Sequence, residues 1–335
     1  MYVRDLGDFG LIERLAQHVA AATTESNFRP TSELHLTVTI GDDTAAWNVG
    51  GVTELLTTDT LVQGVHFTLE TSTWQALGWK GLASNLSDIA AMGGAPAFAV
   101  VTLGLPDDTL VEDIDALYAG LLEAATTYGV AVIGGDIVGS PVFFMTIALT
   151  GTTQVSPMLR SAACPGDQIA VTGTLGGSAA GLAVLRGETA TGESDFNTLL
   201  ESHRRPRPRV NEGQILARSG VLCAMDVSDG LVSDLAKICA ASGKAARVDA
   251  THVPVHPEAR RAFPQASLDM ALNGGEDYEL LFTGKDEVVS KVVTRLGPSA
   301  AVIGRIVAEH PGEVQVLDER GAERQLARHG WNHFK

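Results

Sequence analysis

Apolar and polar residues alternate with two different periods in the first half of the chain, and these periods predict its helices and strands. Residues 8–22 place apolar side chains at helical spacing, whereas HLTVTI, residues 35–40, alternates as a strand does. Two further helices are predicted at 74–92 and 109–128. Strands are predicted at 52–58, 97–104, 130–134 and 142–150. This order predicts an α+β first half, in which helices cover a sheet of mixed strands.

An irregular segment, SPMLRSAACPGDQIAVTG, interrupts this pattern at residues 156–173. Beyond it, the glycine-rich GTLGGSAAGL at 173–182 runs into a predicted helix, and another helix is predicted from residue 231. Strands are predicted at 221–227 and near residues 246, 278, 301 and 313. Because 335 residues exceed what one hydrophobic core usually holds, we predict an α/β protein of two domains, residues 1–155 and 156–335.

The net charge of -16 argues against a nucleic-acid or anionic-membrane partner, because such partners need a basic surface. The arginines of HRRPRPRV, residues 203–210, are therefore interpreted as a solvated helix start whose charges pair with local acids. No stretch of about 18 uncharged apolar residues is present, so no membrane span is predicted. An anionic substrate would need divalent cations or a local arginine in order to bind.

The cysteines, Cys164, Cys223 and Cys239, lie far apart in the sequence and lack CxxC spacing. Cysteines of this kind suit a reducing compartment, and the spacing excludes a zinc ribbon. We predict that all three are buried as small apolar side chains. A cytoplasmic location is the expectation that follows from this cysteine usage.

Aspartates beside glycine, threonine or serine recur near the ends of predicted elements. They are Asp43, Asp59, Asp88, Asp136, Asp226 and Asp229. A single aspartate of this kind equally well caps a helix or closes a turn. Small neighbours, however, let carboxylate, hydroxyl and backbone oxygens reach one ion, as the octahedral shell of Mg²⁺ requires. The whole set predicts a site for several Mg²⁺ ions, which is typical of phosphoryl transfer.

Three other features have two interpretations when the residues are taken alone. The glycine-rich turn at 173–182 presents backbone N–H groups to a phosphate, or simply starts a helix. Arg160 contacts phosphate oxygens, or is an ordinary surface arginine. His66 contacts a substrate, or is a half-buried histidine. No GxSxG motif is present, so nucleophilic catalysis by serine finds no support.

The ordered motifs GDD, TTDTLVQGVHF, GWKGLASNLSDIAAMGGAP, GGD, VSDGLVSDL and GGEDYEL resemble those of the thiamine-monophosphate kinase family in order, spacing and flanking residues. The match runs from near Asp5 to the closing GWNHF. This family belongs to the aminoimidazole-ribonucleotide-synthetase-like superfamily. The resemblance implies a homodimer joined through the N-terminal domains, with an α/β C-terminal domain over each active site. It also implies direct in-line transfer of the γ-phosphoryl group of ATP to the phosphate of thiamine monophosphate.

The resemblance also implies roles for individual residues. The implied Mg²⁺ ligands are Asp43, Thr57, Thr58, Asp59, Asp88, Asp136, Asp226 and Asp229. The implied ATP contacts are Gly135, Asp136, Arg160, Ser228 and Tyr118. The implied contacts to thiamine monophosphate are His66, Glu276 and Trp331. Asp42 is expected to support the turn or an outer-shell water, while Asp43 reaches the ions.

Two alternatives stay open at this point. The first is another enzyme of the superfamily, such as a selenophosphate synthetase, an aminoimidazole-ribonucleotide synthetase or a hydrogenase-maturation factor. A selenophosphate synthetase usually has a reactive cysteine near its N-terminus, whereas no cysteine precedes Cys164 here. The maturation factor ends in a cysteine, whereas this sequence ends in NHFK. The second alternative is a non-catalytic sensor, which binds ATP and Mg²⁺ without turnover.

Overall fold

A computed structural model describes the chain over residues 3–25, 35–189 and 196–324. The first helix, α1 (Val3–Glu25), precedes a six-stranded sheet. Its strands are β1 (His35–Val38), β2 (Ala45–Val49), β3 (Val52–Val62), β4 (Ala95–Leu105), β5 (Ala131–Gly139) and β6 (Phe144–Thr153). Their order across the sheet is β1-β2-β3-β6-β4-β5, with β4 and β5 parallel and the other neighbours antiparallel. The β5 strand is therefore an edge of this sheet.

Two helices, α2 (Trp74–Ala91) and α3 (Val111–Tyr128), pack against each other over this sheet. The backbones of the two helices are in direct contact at glycines. A Cβ on Gly78 would lie only 1.8 Å from the carbonyl oxygen of Leu117. A Cβ on Gly120 would likewise lie 1.8 Å from the carbonyl oxygen of Gln75. Together with the packing of α2 on the sheet, on α6 and on β8, this contact buries α2 on nearly all sides, so that its polar side chains are buried with the apolar ones.

The second half of the chain forms another six-stranded sheet. Its strands are β7 (Gln168–Val171), β8 (Cys223–Asp226), β9 (Ala245–Asp249), β10 (Leu280–Gly284), β11 (Ala301–Val307) and β12 (Val314–Leu317). The order is β12-β9-β11-β7-β10-β8. The helices are α4 (Gly177–Leu185), α5 (Asn197–Arg204), α6 (Val210–Arg218), α7 (Leu231–Ser242), α8 (Pro257–Ala262), α9 (Ser267–Asn273) and α10 (Asp286–Leu296).

One hydrophobic core joins the two halves. It continues from the N-terminal sheet through α2 to apolar residues of the second half, including Leu216, Ala224 and Phe282. A separate core lies inside the second half, around β7, β9 and α7. Because α2 packs on α6 and on β8, the acid at the end of β8 comes next to the acids and hydroxyls of α2. The packing of the halves thus builds the site described below.

The two-sheet α/β architecture confirms the predicted fold class, and the predicted helices and strands fall on observed elements. The pattern did not predict β2, which follows the GDD turn directly, nor the short helices α5, α8 and α9, nor α10. The division at residue 155 stays a prediction. Within the described part of the chain, no helix is long and apolar enough to cross a bilayer. The cytoplasmic location stays a prediction too.

One prediction about individual residues was wrong, and another was incomplete. Cys164 is exposed, because it lies in the irregular segment before β7, where its backbone N–H bonds to Asp167. The arginines before α6 pair with a local acid, as Arg209 does with Glu212 at 3.4 Å, but two of them also pair with distant acids. Arg205 reaches Glu123 on α3, and Arg209 bonds to the buried carboxylate of Glu279, which directly precedes β10. Both acids are distant in sequence, so this pairing was not visible in the sequence pattern.

Candidate active site

Three acids from different parts of the chain meet where the two halves join. Asp43 precedes β2, Asp88 lies in the last turn of α2, and Asp226 ends β8. Each offers a carboxylate oxygen, and these three atoms lie within 4.8 Å of one another. Asp43 and Asp226 are buried, and Asp88 is partly buried. We refer to Asp43, Asp88 and Asp226 as the acid cluster.

Buried polar side chains fix the carboxylates of the acid cluster. The hydroxyl of Thr57 on β3 donates to Oδ2 of Asp88 at 2.5 Å. The hydroxyl of Ser87 donates to Oδ2 of Asp226 at 2.7 Å, which links α2 in the first half to β8 in the second. Such bonds lock the side chains in single orientations, as a preorganised metal site requires.

Asp59 lies next to this cluster on the face of β3 that packs on α2. Its backbone N–H donates to Oδ1 of Asn85 at 3.1 Å. Burial raises the pKa of its carboxyl, and the charges of Asp229 and Asp43 raise it further, whereas a hydrogen bond from Ser84 lowers it. Ser84, Asn85, Ser87 and Asp88 thus form a polar face of α2 directed at the acids.

Burial also raises the pKa values of Asp88 and Asp226 well above the ordinary value of an aspartate. For Asp88 the next causes are the neighbouring charges of Asp59, Asp226 and Asp43. Within the described residues, Oδ2 of Asp43 is buried without a hydrogen-bond partner. A divalent cation would relieve this repulsion and supply the missing partner, because Mg²⁺ prefers oxygen ligands. The residues present therefore fit a magnesium site.

Arg160 binds both members of the GDD pair. Its Nη2 lies 2.5 Å from Oδ1 of Asp43, and its backbone N–H donates to Oδ2 of Asp42 at 3.2 Å. Asp42 also accepts the backbone N–H of Asp43. Burial and the adjacent Asp43 raise the pKa of Asp42 to about 6. The structure thus places Asp42 on the turn and Asp43 in the acid cluster.

Asp234, which sequence reasoning missed, holds the VSDG loop. One of its carboxylate oxygens accepts the backbone N–H groups of Ser228, Asp229 and Gly230, each at 3.0 Å. Its other oxygen lies 2.7 Å from the ammonium of Lys237. That ammonium also lies 2.6 Å from Oδ2 of Asp229, which is outside the acid cluster. Asp234 is the second aspartate of the motif VSDGLVSDL, and this repetition is the sequence signal that could have identified it.

Some predicted site residues lie apart from the acid cluster in a single chain. Asp136 is exposed on the edge strand β5, three strands from β3, or about 14 Å at ordinary strand spacing. Gly135 precedes it, and a Cβ there would lie 1.9 Å from the carbonyl oxygen of Val101. Tyr118 packs on the core from α3. Thr58 is exposed on the face of β3 opposite Thr57, and its hydroxyl bonds to Ile147.

Glu276, which sequence reasoning connects with the acceptor, lies beside Lys80 of α2. Its Oε1 is 2.7 Å from the Lys80 ammonium, and its Oε2 is 3.5 Å from Nδ1 of His203. His66 follows β3, and its Nδ1 accepts the backbone N–H of Val62 at 3.0 Å. Trp331 lies outside the described residues. Lys80 and His203 were not predicted, because neither stands out in the sequence from an ordinary surface residue.

His203→Gln should make the protein less sensitive to acid. Burial, with the nearby charge of Lys80, lowers the pKa of His203 from 6.5 to about 2. Below pH 6.5 the imidazole is therefore protonated in the unfolded chain but not in the folded chain. The free energy of unfolding consequently falls as the pH falls. This group contributes a slope of up to about 1.4 kcal/mol per pH unit between these pKa values. Urea unfolding from pH 7 to 4 measures it, and an unchanged slope in the variant would contradict the assignment.

Comparisons with known proteins agree with this architecture. The sequence model of the AIR synthase related protein N-terminal domain matches residues 41–155, and that of the C-terminal domain matches residues 164–317. The chain therefore belongs to the AIR synthase related proteins, a class built from two such domains.

Within that class, the chain belongs to the thiamine-monophosphate kinase family. It is 37% identical to the thiamine-monophosphate kinase of Escherichia coli K12, over 98% of both chains. It is also 37% identical to that of Bacillus subtilis strain 168, over 89% of this chain and 94% of the relative. The solved structure of AaThiL complexed with AMPPCP and TMP superposes with a TM-score of 0.84, at 32% identity and over 99% of both chains.

Proposed function

We propose that this protein transfers the γ-phosphoryl group of ATP to the phosphate of thiamine monophosphate, which forms thiamine diphosphate and ADP. Family membership over almost the whole chain supports this activity. The observation that carries the chemistry is the buried acid cluster of Asp43, Asp88 and Asp226, which both halves of the chain build. Carboxylates placed in this way would hold Mg²⁺, as enzymes of phosphoryl transfer commonly do.

The barrier to this reaction is the repulsion between two polyanions. An oxygen of the acceptor phosphate forms the new bond to the γ-phosphorus, and the bond between that phosphorus and the β,γ-bridging oxygen breaks, so that ADP leaves. The acceptor oxygen is already ionised near pH 7, so no strong general base is required. Mg²⁺ held by the acid cluster, by Thr57 and by Asp59 would neutralise phosphate charge. The guanidinium of Arg160 lies at the cluster, where it can contact phosphate oxygens.

The acceptor subsite is proposed farther along α2, where Lys80 meets Glu276. The carboxylate of Glu276 would neutralise the positive charge of the thiazolium ring or accept a hydrogen bond from the aminopyrimidine. His66 would contact the same substrate. Trp331 would stack on the cationic ring. Ser228 would contact the nucleotide from the VSDG loop, with Asp229 as a further ligand of Mg²⁺. These assignments are proposals that follow from the family.

A homodimer is part of this proposal. The outer face of the N-terminal sheet exposes Leu56, Phe98 and Val100, and its edge strand exposes Ile133 and Ile137. Exposed apolar side chains on a sheet and at its edge favour pairing with another copy. Sedimentation equilibrium tests the assembly, and a monomer mass at micromolar concentration would contradict it.

The dimer would also reconcile the predicted role of Asp136 with its distance from the acid cluster. In strand register, Asp136 pairs with Thr102, Thr102 with Thr146, and Thr146 with Thr60. Asp136 therefore shares the outer face of the sheet with Thr58, which lies two residues before Thr60 on β3. A copy packed on this face would bring Asp136 next to Thr58 of its neighbour, whereas the roles of Gly135 and Tyr118 stay predictions.

The activity is tested with the purified full chain, ATP, MgCl₂ and thiamine monophosphate. Thiamine diphosphate should form in equal amount with ADP, as followed by ³¹P NMR or by fluorescence after oxidation to thiochromes. Thiamine without its phosphate is the control acceptor, and EDTA should stop the reaction. Binding of ATP and Mg²⁺ without any thiamine diphosphate would contradict the proposal and favour the sensor alternative.

A further inference from the structure

Lys80 is a lysine in the interior of the protein that the proposed chemistry does not use. It lies in the middle of α2 and is only 2% exposed. Its ammonium lies 2.7 Å from Oε1 of Glu276, in the segment between α9 and β10. Within the described part of the chain, Glu276 is the only acid at ion-pair distance from Lys80. This ion pair therefore joins the helix of the first half to the second half.

The other side of Glu276 is also fixed. Its Oε2 lies 3.5 Å from Nδ1 of His203, which lies 3.1 Å from the hydroxyl of Ser178. Burial and the charge of Lys80 lower the pKa of His203 to about 2, so this imidazole is neutral at pH 7. The carboxylate of Glu276 is thus held between an ammonium and a neutral ring. Among the residues that the structure describes, Lys80 is the cation that balances the charge of this carboxylate.

The backbone at Glu276 is held in an unfavourable conformation. Its φ is 65°, in the left-handed region that side-chain-bearing residues rarely adopt. Its N–H donates to the carbonyl of Ser228 at 2.8 Å, and a Cβ on Gly275 would lie 2.5 Å from that same oxygen. Strain of this kind persists only where surrounding contacts impose it, and it concentrates at ligand sites. The Lys80 pair is one of these contacts.

A second bond from α2 to the other half lies on the same face of the helix. Lys80 and Ser87 are seven residues apart, which is two helical turns and a rise of about 10 Å. Lys80 holds Glu276, and Ser87 holds Asp226 of the acid cluster. One face of a buried helix therefore sets the separation between the carboxylate of the acceptor subsite and the acids of the phosphate subsite.

We propose that Lys80 is a positioning residue for thiamine monophosphate. It keeps the carboxylate of Glu276 at the distance from the acid cluster that lets the cationic ring and the phosphate of the acceptor bind together. A buried ion pair adds little to stability compared with apolar residues of the same volume, so stability alone does not explain this lysine. The inference rests on the proposed function, because it concerns the acceptor of that reaction.

The test is Lys80→Met, which keeps the volume of the side chain and removes its charge. The KM for thiamine monophosphate should rise by about 10- to 100-fold, since a small displacement of a positioning group costs this much. The KM for ATP should stay within about twofold of the wild-type value, because Lys80 does not contact the acid cluster. Calorimetric titration with thiamine monophosphate should show the same loss of affinity without turnover.

The matched control is Arg209→Met, which removes another cation from an acid of the same segment, Glu279. It should lower the Tm as Lys80→Met does but leave the KM for thiamine monophosphate unchanged. An unchanged KM in folded Lys80→Met, or an equal rise in both variants, would overturn the proposal.

If Lys80→Met does not fold, Lys80→Gln replaces it, and a rise in KM of about tenfold is expected. Failure of both variants to fold would mean that the pair is structural only, which also overturns the inference. The wild type could bind thiamine monophosphate but form no thiamine diphosphate. This result would contradict the proposed function alone, because the affinities of Lys80→Met and the wild type for thiamine monophosphate could still be compared.

Discussion

Asp88→Asn is expected to lower kcat by about 10³-fold and, in the same protein, to raise the Tm of the metal-free form. The activity falls because the acid cluster loses a charged ligand, and stabilisation of phosphate charge by Mg²⁺ is worth several kcal/mol. The Tm rises because burial and the charges of Asp59, Asp226 and Asp43 disfavour ionised Asp88. The amide oxygen can still accept the hydroxyl of Thr57.

Thermal unfolding in EDTA and in excess MgCl₂ separates the two effects, because a ligand that binds only the folded state raises its stability. The wild type should gain stability when Mg²⁺ is added, and Asp88→Asn should gain much less. The control is Asp107→Asn, an exposed aspartate between β4 and α3, which should change neither kcat nor Tm. A variant that is less stable than the wild type in EDTA, or that keeps its rate, would remove Asp88 from the proposed metal site.

Arg160→Met is expected to destabilise the metal-free protein by about 3–5 kcal/mol, because removal of one partner leaves a buried charge uncompensated. The side chain of Asp43 is fully buried, and Arg160 is its ion-pair partner. The backbone bonds of Arg160 to Asp42 persist in the variant, so the loss reports on the guanidinium. The KM for ATP should also rise, because the same guanidinium is proposed to contact phosphate oxygens.

Urea unfolding at increasing MgCl₂ concentrations tests this interpretation of Arg160. The deficit in the free energy of unfolding should shrink as Mg²⁺ replaces the missing positive charge beside Asp43, while the KM for ATP stays high. Arg305→Met is the control, since its pair with Asp286 is exposed and distant from the acids. A deficit that does not depend on Mg²⁺ would mean that Asp43 is not a ligand.

The three acids of the acid cluster could be predicted from the sequence because each stands at the end of an apolar segment and beside small residues. Asp43, Asp88 and Asp226 come together because such ends meet where the two halves join. Strand alternation also explains why Thr57 faces Asp88 whereas Thr58 faces away.

The position of Asp136 could not be predicted in the same way. It depends on the strand order β3-β6-β4-β5, which departs from the order along the chain and puts two strands between β3 and β5. Lys80 was missed for another reason. A lysine in a helix ordinarily reaches solvent, and this one is buried because α2 packs on α3, on the N-terminal sheet and on the second half of the chain. Burial of this kind depends on tertiary packing.

The shared hydrophobic core has a consequence for how the enzyme cycles. Leu216, Ala224 and Phe282 of the second half pack in one cluster with the N-terminal sheet, so the halves cannot swing apart without exposing apolar surface at about 25 cal/mol per Å². The charged groups are therefore assembled when the chain folds, before any substrate arrives. Ions and nucleotides therefore bind to carboxylates that the fold has already brought together.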